Sequence, residues 1–307
     1  MLRLKKVFEK VQLVWQDSSR TYANTPRDFK PKDWKNALIE TKNAFGSKSI
    51  PLVSAGIAYF LTFAVFPAIA AFIAILSFAL SKDTLSSAAG TLYTFLPTDI
   101  ASLFSSQVEA ALNNPSSGVI IIIFGIAIAL ISLSGAMANI IKAVNSIYEV
   151  DESRKILQLR AMSLLFIAAA GVITAIVVCL LVLNETNLLS TGIPYWLTWL
   201  ILISRWFVIA FLVTFGLAIF YRYAPDRKNP HWQWVTWGSL IATLVWLLAT
   251  TLFFLYARYF AHYTESYSVF AGILVLMIWL NLTSFAVLLG ATINYKLENQ
   301  TRVRTVK

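Results

Sequence analysis

Six apolar runs govern what this chain can become. They lie at about 52–80, 118–143, 160–183, 197–221, 235–257 and 269–292. Each is near or above the ~20 residues that an α-helix needs to cross the hydrocarbon core of a bilayer. Inside a bilayer every backbone N–H and C=O must find a partner within the protein, so runs of this length fold as helices. Composition removes the soluble alternative. The chain is 58% hydrophobic and 13% charged, with a mean hydropathy of +0.69. A soluble domain carries about 25% charged residues. The expected fold class is all-α: a polytopic membrane protein with six transmembrane helices over 51–298. A basic arm (1–50) precedes this region and a short tail (299–307) follows it.

Charge sets the orientation. The net charge is +10 over 307 residues. With the N-terminus inside, 22 of the 25 Lys and Arg residues fall on the cytoplasmic side, and only Lys82 and Arg258 fall outside. The positive-inside rule therefore places both ends in the cytoplasm. It also accounts for the basic balance without nucleic acid. Trp232, Trp234 and Trp237 mark an inner boundary, and Tyr195, Trp196 and Trp199 an outer one, as expected of rings at headgroup level.

Two further regions are read as amphipathic. In the arm, Leu4, Val7, Phe8, Val11 and Val14 recur at helical spacing. Trp34, Leu38, Thr41 and Phe45 do so again after an N-cap at Asp33. Such helices suit the membrane surface or a solvated arm packed on loops. In the first outer loop, Leu85, Ala88, Leu92 and Leu96 form one apolar set. Ile100, Leu103, Phe104, Val108 and Leu112 form another, with a helix start at Pro97.

Polar residues inside the runs are the candidate site. Ser132, Gly135, Asn139, Lys142 and Ser146 are spaced three, four, three and four apart, so they share one side of a helix. The expectation is that this side faces other helices, with its lower end at the cytoplasm or headgroups. Lys142 lies about 24 residues past Gly118, roughly 36 Å along a helix, and reaches the inner headgroups. Asn139 should face protein or water, since an amide facing lipid is costly. One reading makes it interhelical glue. The other opens a cavity whose Lys142 attracts an anionic group. Pro67 frees the carbonyl of Phe63 and predicts a kink in the first run. Asn281 and Ser284 share a face of the last run, with Asn281 near the midplane, where transporters bind substrate. Interhelical hydrogen bonding is an equal alternative for them.

Enzyme chemistry finds little support. The lone Cys179 allows no intrachain disulfide and no cysteine zinc site. His231 and His262 fall on opposite sides of the membrane. No H-E-x-x-H, G-x-S-x-G or P-loop motif is present. Glu149, Asp151 and Glu152 could hold Mg²⁺. Beside Arg154 and Lys155 they read more simply as a solvated turn. The expectation is no enzyme, no cofactor and no metal.

The ordered motifs resemble the YihY/BrkB family of bacterial inner-membrane proteins. They are SAGIAYFLTFAVFP (54–67), KAVNSIYEV (142–150) with Arg154 and Arg160 downstream, YRYAP (221–225) and WGSLIATLVW (237–246). Tyr256 and YSVFAGILVLMIWLNLTSFAVLLGATIN (267–294) complete the set. The resemblance covers roughly 35–298. Tyr148 stands where that family has Trp, Tyr267-Ser268 where it has Tyr-Gly, and Gly290-Ala291-Thr292 where it has Gly-Ala-Glu. The resemblance implies a six-helix, multi-pass protein of the bacterial inner membrane. The labels ribonuclease BN and virulence factor BrkB travel with the family, together with suggested links to envelope and lipid handling.

The expected function is transport-like handling of an anionic lipid or amphiphile in envelope maintenance. Ser132, Asn139, Lys142 and Asn145 would recognise the head group, Arg154 and Arg160 would attract it, and Asn281 and Ser284 would serve deeper. Pro67 would be a hinge. The partners expected are membrane lipids, with an envelope protein docking through 84–112 as an alternative scaffold role. A membrane nuclease is the remaining alternative.

Overall fold

The computed structural model describes residues 31–79, 119–182, 194–227, 232–260 and 268–299, with isolated positions between them. The described residues form seven helices and no strand. They are α1 (Pro31–Ser47), α2 (Ile50–Ala79), α3 (Val119–Tyr148), α4 (Ile156–Val182), α5 (Tyr195–Tyr223), α6 (Trp232–Phe260) and α7 (Ser268–Asn299). Among the described residues five helices are long and apolar enough to cross a membrane. They become six if the bent α1–α2 pair is counted as one span.

Two helices run well past their apolar stretches. α3 continues to Tyr148 and α7 to Asn299, past the expected ends at 143 and 292. The extensions carry Asn145, Tyr148, Asn294 and Glu298, all buried. A polar residue ends a hydropathy run but does not end a helix when its side chain finds partners. The start of α1 differs too. It begins at Pro31, which places Asp33 in the first turn rather than at the cap. Proline suits that first position, because its missing N–H would be unpaired there anyway.

α2 is helical through Pro67. A sharp bend of 63° lies between Trp34–Gly46 and Ile50–Val65. Ser49 takes a φ of 47° in that corner, a left-handed conformation that non-glycine residues seldom adopt.

α7 is the hub. It packs against α1, α2, α3 and α6, while α5 packs on α6 and α4. Close approach between α6 and α7 depends on Gly238 and Gly290. A Cβ on Gly238 would lie 2.4 Å from the carbonyl of Gly290. The main core gathers Ile57, Ile141, Val144, Tyr148, Tyr221 and Leu288. α1 docks through Ala37 against Ile293 and Leu297, with Trp34 edge-on to Trp237 at 5.2 Å. Phe45 stacks on Phe285 at 5.3 Å.

α4 is different. It packs chiefly on α3 and α5, and from Leu164 to Leu181 no residue is buried. Tyr195, Trp196 and Trp199 at the start of α5 are exposed, as expected of a boundary belt. Cys179 is free and exposed. His231, His262 and both expected amphipathic helices of 84–112 lie outside the described residues, apart from isolated positions, as does the arm before Pro31.

Candidate functional site

One end of the bundle collects the polar side chains. There α3 ends at Tyr148, and Glu149 has a φ of 56°. Lys48 reaches this corner from the α1–α2 bend. Its Nζ donates to the carbonyls of Ile147 (2.8 Å) and Ser146 (3.2 Å) and to Glu149 Oε1 (3.0 Å). The final carbonyls of a helix have no intrahelical donor, so a lysine there acts as a cap. Glu149 is held below the ordinary carboxylate range. The hydroxyl of Tyr295 is the main cause, followed by Lys48.

The turn after α3 is tied to the turn after α5. Asn145 Nδ2 donates to Glu152 Oε2 at 2.8 Å, and Asn145 Oδ1 accepts from the N–H of Asp226 at 2.9 Å. The carboxylate of Asp226 accepts from the Ser153 hydroxyl and N–H. Those bonds, led by the hydroxyl, hold Asp226 below the ordinary range. Arg154 grips Glu152 with Nε and Nη2 and donates to the carbonyl of Ala224 at 2.9 Å. A second pair is more deeply set. Arg227 Nη1 donates to Glu298 Oε2 at 2.6 Å, with 4% and 9% of the two side chains exposed. The guanidinium lies 4.1 Å from the ring centre of Tyr148.

A recess of about 410 Å³ opens at this end, lined by Lys142, Asn145, Glu149, Asp151 and Glu152 among others. Three of these are carboxylates. Among the described residues no group of three or more His, Cys, Asp or Glu is arranged to hold a metal ion.

The expected site residues separate into three sets. Asn145 and Arg154 belong to the network just described, so their polar groups serve the two turns. Asn281 Oδ1 accepts from Ser54 Oγ of α2 at 2.9 Å, which is interhelical bonding. Ser284 is buried and its Oγ has no partner among the described residues. The third set is the stripe on α3. Ala129, Ala136, Ile141, Val144 and Tyr148 turn the opposite face of α3 into the core. Ser132, Gly135 and Asn139 are partly exposed, while Lys142 and Ser146 are exposed. The stripe therefore lies on the flank away from the core. No hydrogen bond to a described residue engages the side chains of Ser132, Asn139 or Lys142.

Arg160 of α4 joins this stripe. Its Nη1 donates to Ser134 Oγ at 3.0 Å and approaches the carbonyl of Ile131 at 3.4 Å. Its guanidinium also covers Gly135, where a Cβ would stand 3.2 Å from Nη1. Sequence reasoning had Arg160 only as a distant attractor. Lys48, Asp226, Arg227 and Glu298 were missed altogether. They act across 70 to 100 residues of sequence, and no periodicity marks them.

The helices and their apolar faces define a multi-pass membrane protein. Comparison with known proteins gives the particular family. Residues 41–307 match the family described as virulence factor BrkB, and the chain belongs to it. It is similar to the ribonuclease-like protein YfkH of Bacillus subtilis, at 30% identity over 258 residues. That match covers 81% of this chain and 90% of the Bacillus protein. It is also similar to a UPF0761 membrane protein of Idiomarina loihiensis, at 29% identity. That match covers 53% of this chain and 56% of the relative. A UPF0761 membrane protein of Vibrio cholerae matches at 27% over 51% of this chain and 52% of its own length. No solved structure matches.

Proposed function

We propose that this protein moves or presents an anionic lipid or amphiphile across the membrane, without covalent chemistry on it. The topology that fits is six spans with both ends of the chain cytoplasmic. Four-fifths and more of the basic residues then lie inside, consistent with the positive-inside rule.

One observation carries the reading. The amide of Asn139 and the ammonium of Lys142 have no hydrogen-bond partner among the described residues, on a flank of α3 turned away from the core. An unpaired amide in hydrocarbon is costly, so such a flank favours a polar ligand or water. The two groups offer donors to an acidic head group, and basic residues near an anionic membrane surface each add about 1 kcal/mol of attraction.

The test is reconstitution into vesicles with fluorescent phosphatidylglycerol or phosphatidylcholine in the inner leaflet. The protein is expected to speed exposure of phosphatidylglycerol over protein-free vesicles. The Asn139→Leu, Lys142→Leu variant should slow it. Equal rates with and without protein would overturn the reading.

A further inference from the structure

We propose that Arg160 anchors the anionic head group of a lipid where the start of α4 meets α3. The inference rests on the function proposed above and says where in the molecule the head group is held.

Position is the first argument. Arg160 is the fifth residue of α4 (Ile156–Val182), where the apolar stretch of that helix begins, beside the polar end of the bundle. Its guanidinium meets α3 bonded to a serine hydroxyl and a main-chain carbonyl. Both are neutral acceptors. Arginine keeps its charge at neutral pH, and a cation at the membrane boundary attracts an anionic head group.

Pairing is the second argument. Lys48, Arg154, Arg227 and Lys296 each meet a carboxylate. Arg160 meets none among the described residues, and it is exposed. Both of its contacts use Nη1, so the Nε and Nη2 donors are left for a ligand. Their fork geometry matches phosphate or carboxylate oxygens. The recess at Lys142 is less suited, because Glu149, Asp151 and Glu152 line it too.

The unburied side of α4 names the ligand class. Beyond Ser163, α4 carries no buried residue as far as Leu181, and Leu164, Leu165, Val172 and Ile176 are exposed. Acyl chains can lie along this stretch while the head group stays at Arg160. A free anion would make no use of it.

The test is native mass spectrometry of the full chain released from vesicles of phosphatidylcholine with a minor fraction of phosphatidylglycerol. Wild type is expected to retain phosphatidylglycerol above its bulk fraction. Arg160→Gln should weaken that preference about tenfold, the loss of one charge-assisted contact. Arg160→Lys should keep part of it, which separates charge from folding. Lys142→Gln should have the smaller effect. Retention unchanged in Arg160→Gln but lost in Lys142→Gln would overturn this inference and leave the proposed function standing. No preference in wild type would overturn both. Displacement of the lipid by added inorganic phosphate alone would make the site one for a free anion and overturn the lipid assignment.

Discussion

Lys48 and Glu149 join the two left-handed corners of the polar end. Lys48 sits beside Ser49, with φ 47°, and Glu149 itself has φ 56°. Their side chains meet at 3.0 Å. Lys48 also caps α3 through two carbonyls, so the ion pair is the lesser part of the contact. Glu149 is 61% exposed, and exposed pairs contribute little. Lys48→Met is expected to cost about 1–2 kcal/mol in thermal unfolding in detergent, and Glu149→Gln less than half of that. A larger effect from Glu149→Gln would reverse this ranking.

Acid should loosen this end in a defined window. Glu149 is held low by Tyr295 and then Lys48, and Asp226 by the Ser153 hydroxyl. A carboxyl with a depressed folded-state pKa stabilises fully above the ordinary range of about pH 4. That contribution is lost as pH falls from there through the folded value. Hydrogen exchange at Ser146–Val150 and Ser153 should therefore accelerate only below the ordinary range. Asp226→Asn should flatten the response at Ser153. Acceleration beginning near neutral pH would contradict the assignment.

The Arg227–Glu298 pair should behave as a buried pair. Removing one partner leaves a charge without its counterion and costs about 3–5 kcal/mol. Arg227→Met is expected to lower the melting temperature sharply, and the Arg227→Met, Glu298→Met double variant to recover most of the loss. An additive double variant would show that the two residues do not act together.

Gly238→Ala should disrupt the α6–α7 contact. The added methyl would lie 2.3 Å from Asn294 Oδ1 and 2.4 Å from a main-chain carbonyl. It would also crowd the hydrogen bond from the Gly238 N–H to Asn294, which measures 2.7 Å. A main-chain carbonyl on one side and the buried, hydrogen-bonded Asn294 amide on the other cannot give way cheaply, so a cost of about 1–3 kcal/mol or more is expected. Gly56→Ala, with nothing within 4 Å of the new methyl, is the control and should be neutral. Monodispersity after extraction reads both.

Ser284→Ala tests the unpartnered hydroxyl in α7. Burying a hydroxyl without a partner costs about 1–3 kcal/mol, so alanine is expected to leave stability unchanged or raise it. A clear destabilisation would mean that the hydroxyl holds a water or another ligand.

Six hydrophobic runs made the helices and their order readable, because burial in lipid writes itself into local composition. Asn281 was readable as a candidate for interhelical bonding, since an amide in a greasy helix has few other uses, and Ser54 proved to be its partner. Helix ends were less readable. Asn294 and Glu298 look like the end of a span until Gly238 and Arg227 are placed beside them. The surroundings of the α3 stripe were legible only in part for a related reason. Spacing shows which residues share a side, but which side meets the core depends on where α2 and α7 stand. The pairs Lys48–Glu149 and Arg227–Glu298 left no local trace at all.

The unburied stretch of α4 has a mechanical consequence. The apolar helix Ile156–Leu181 has 26 residues, about 39 Å in length, against a hydrocarbon thickness of about 30 Å. A helix in that position relieves the mismatch by leaning, and neighbouring protein normally fixes how far. Here few neighbours do, so bilayer thickness becomes the spring that sets the lean of α4 and, with it, how Arg160 meets Ser134.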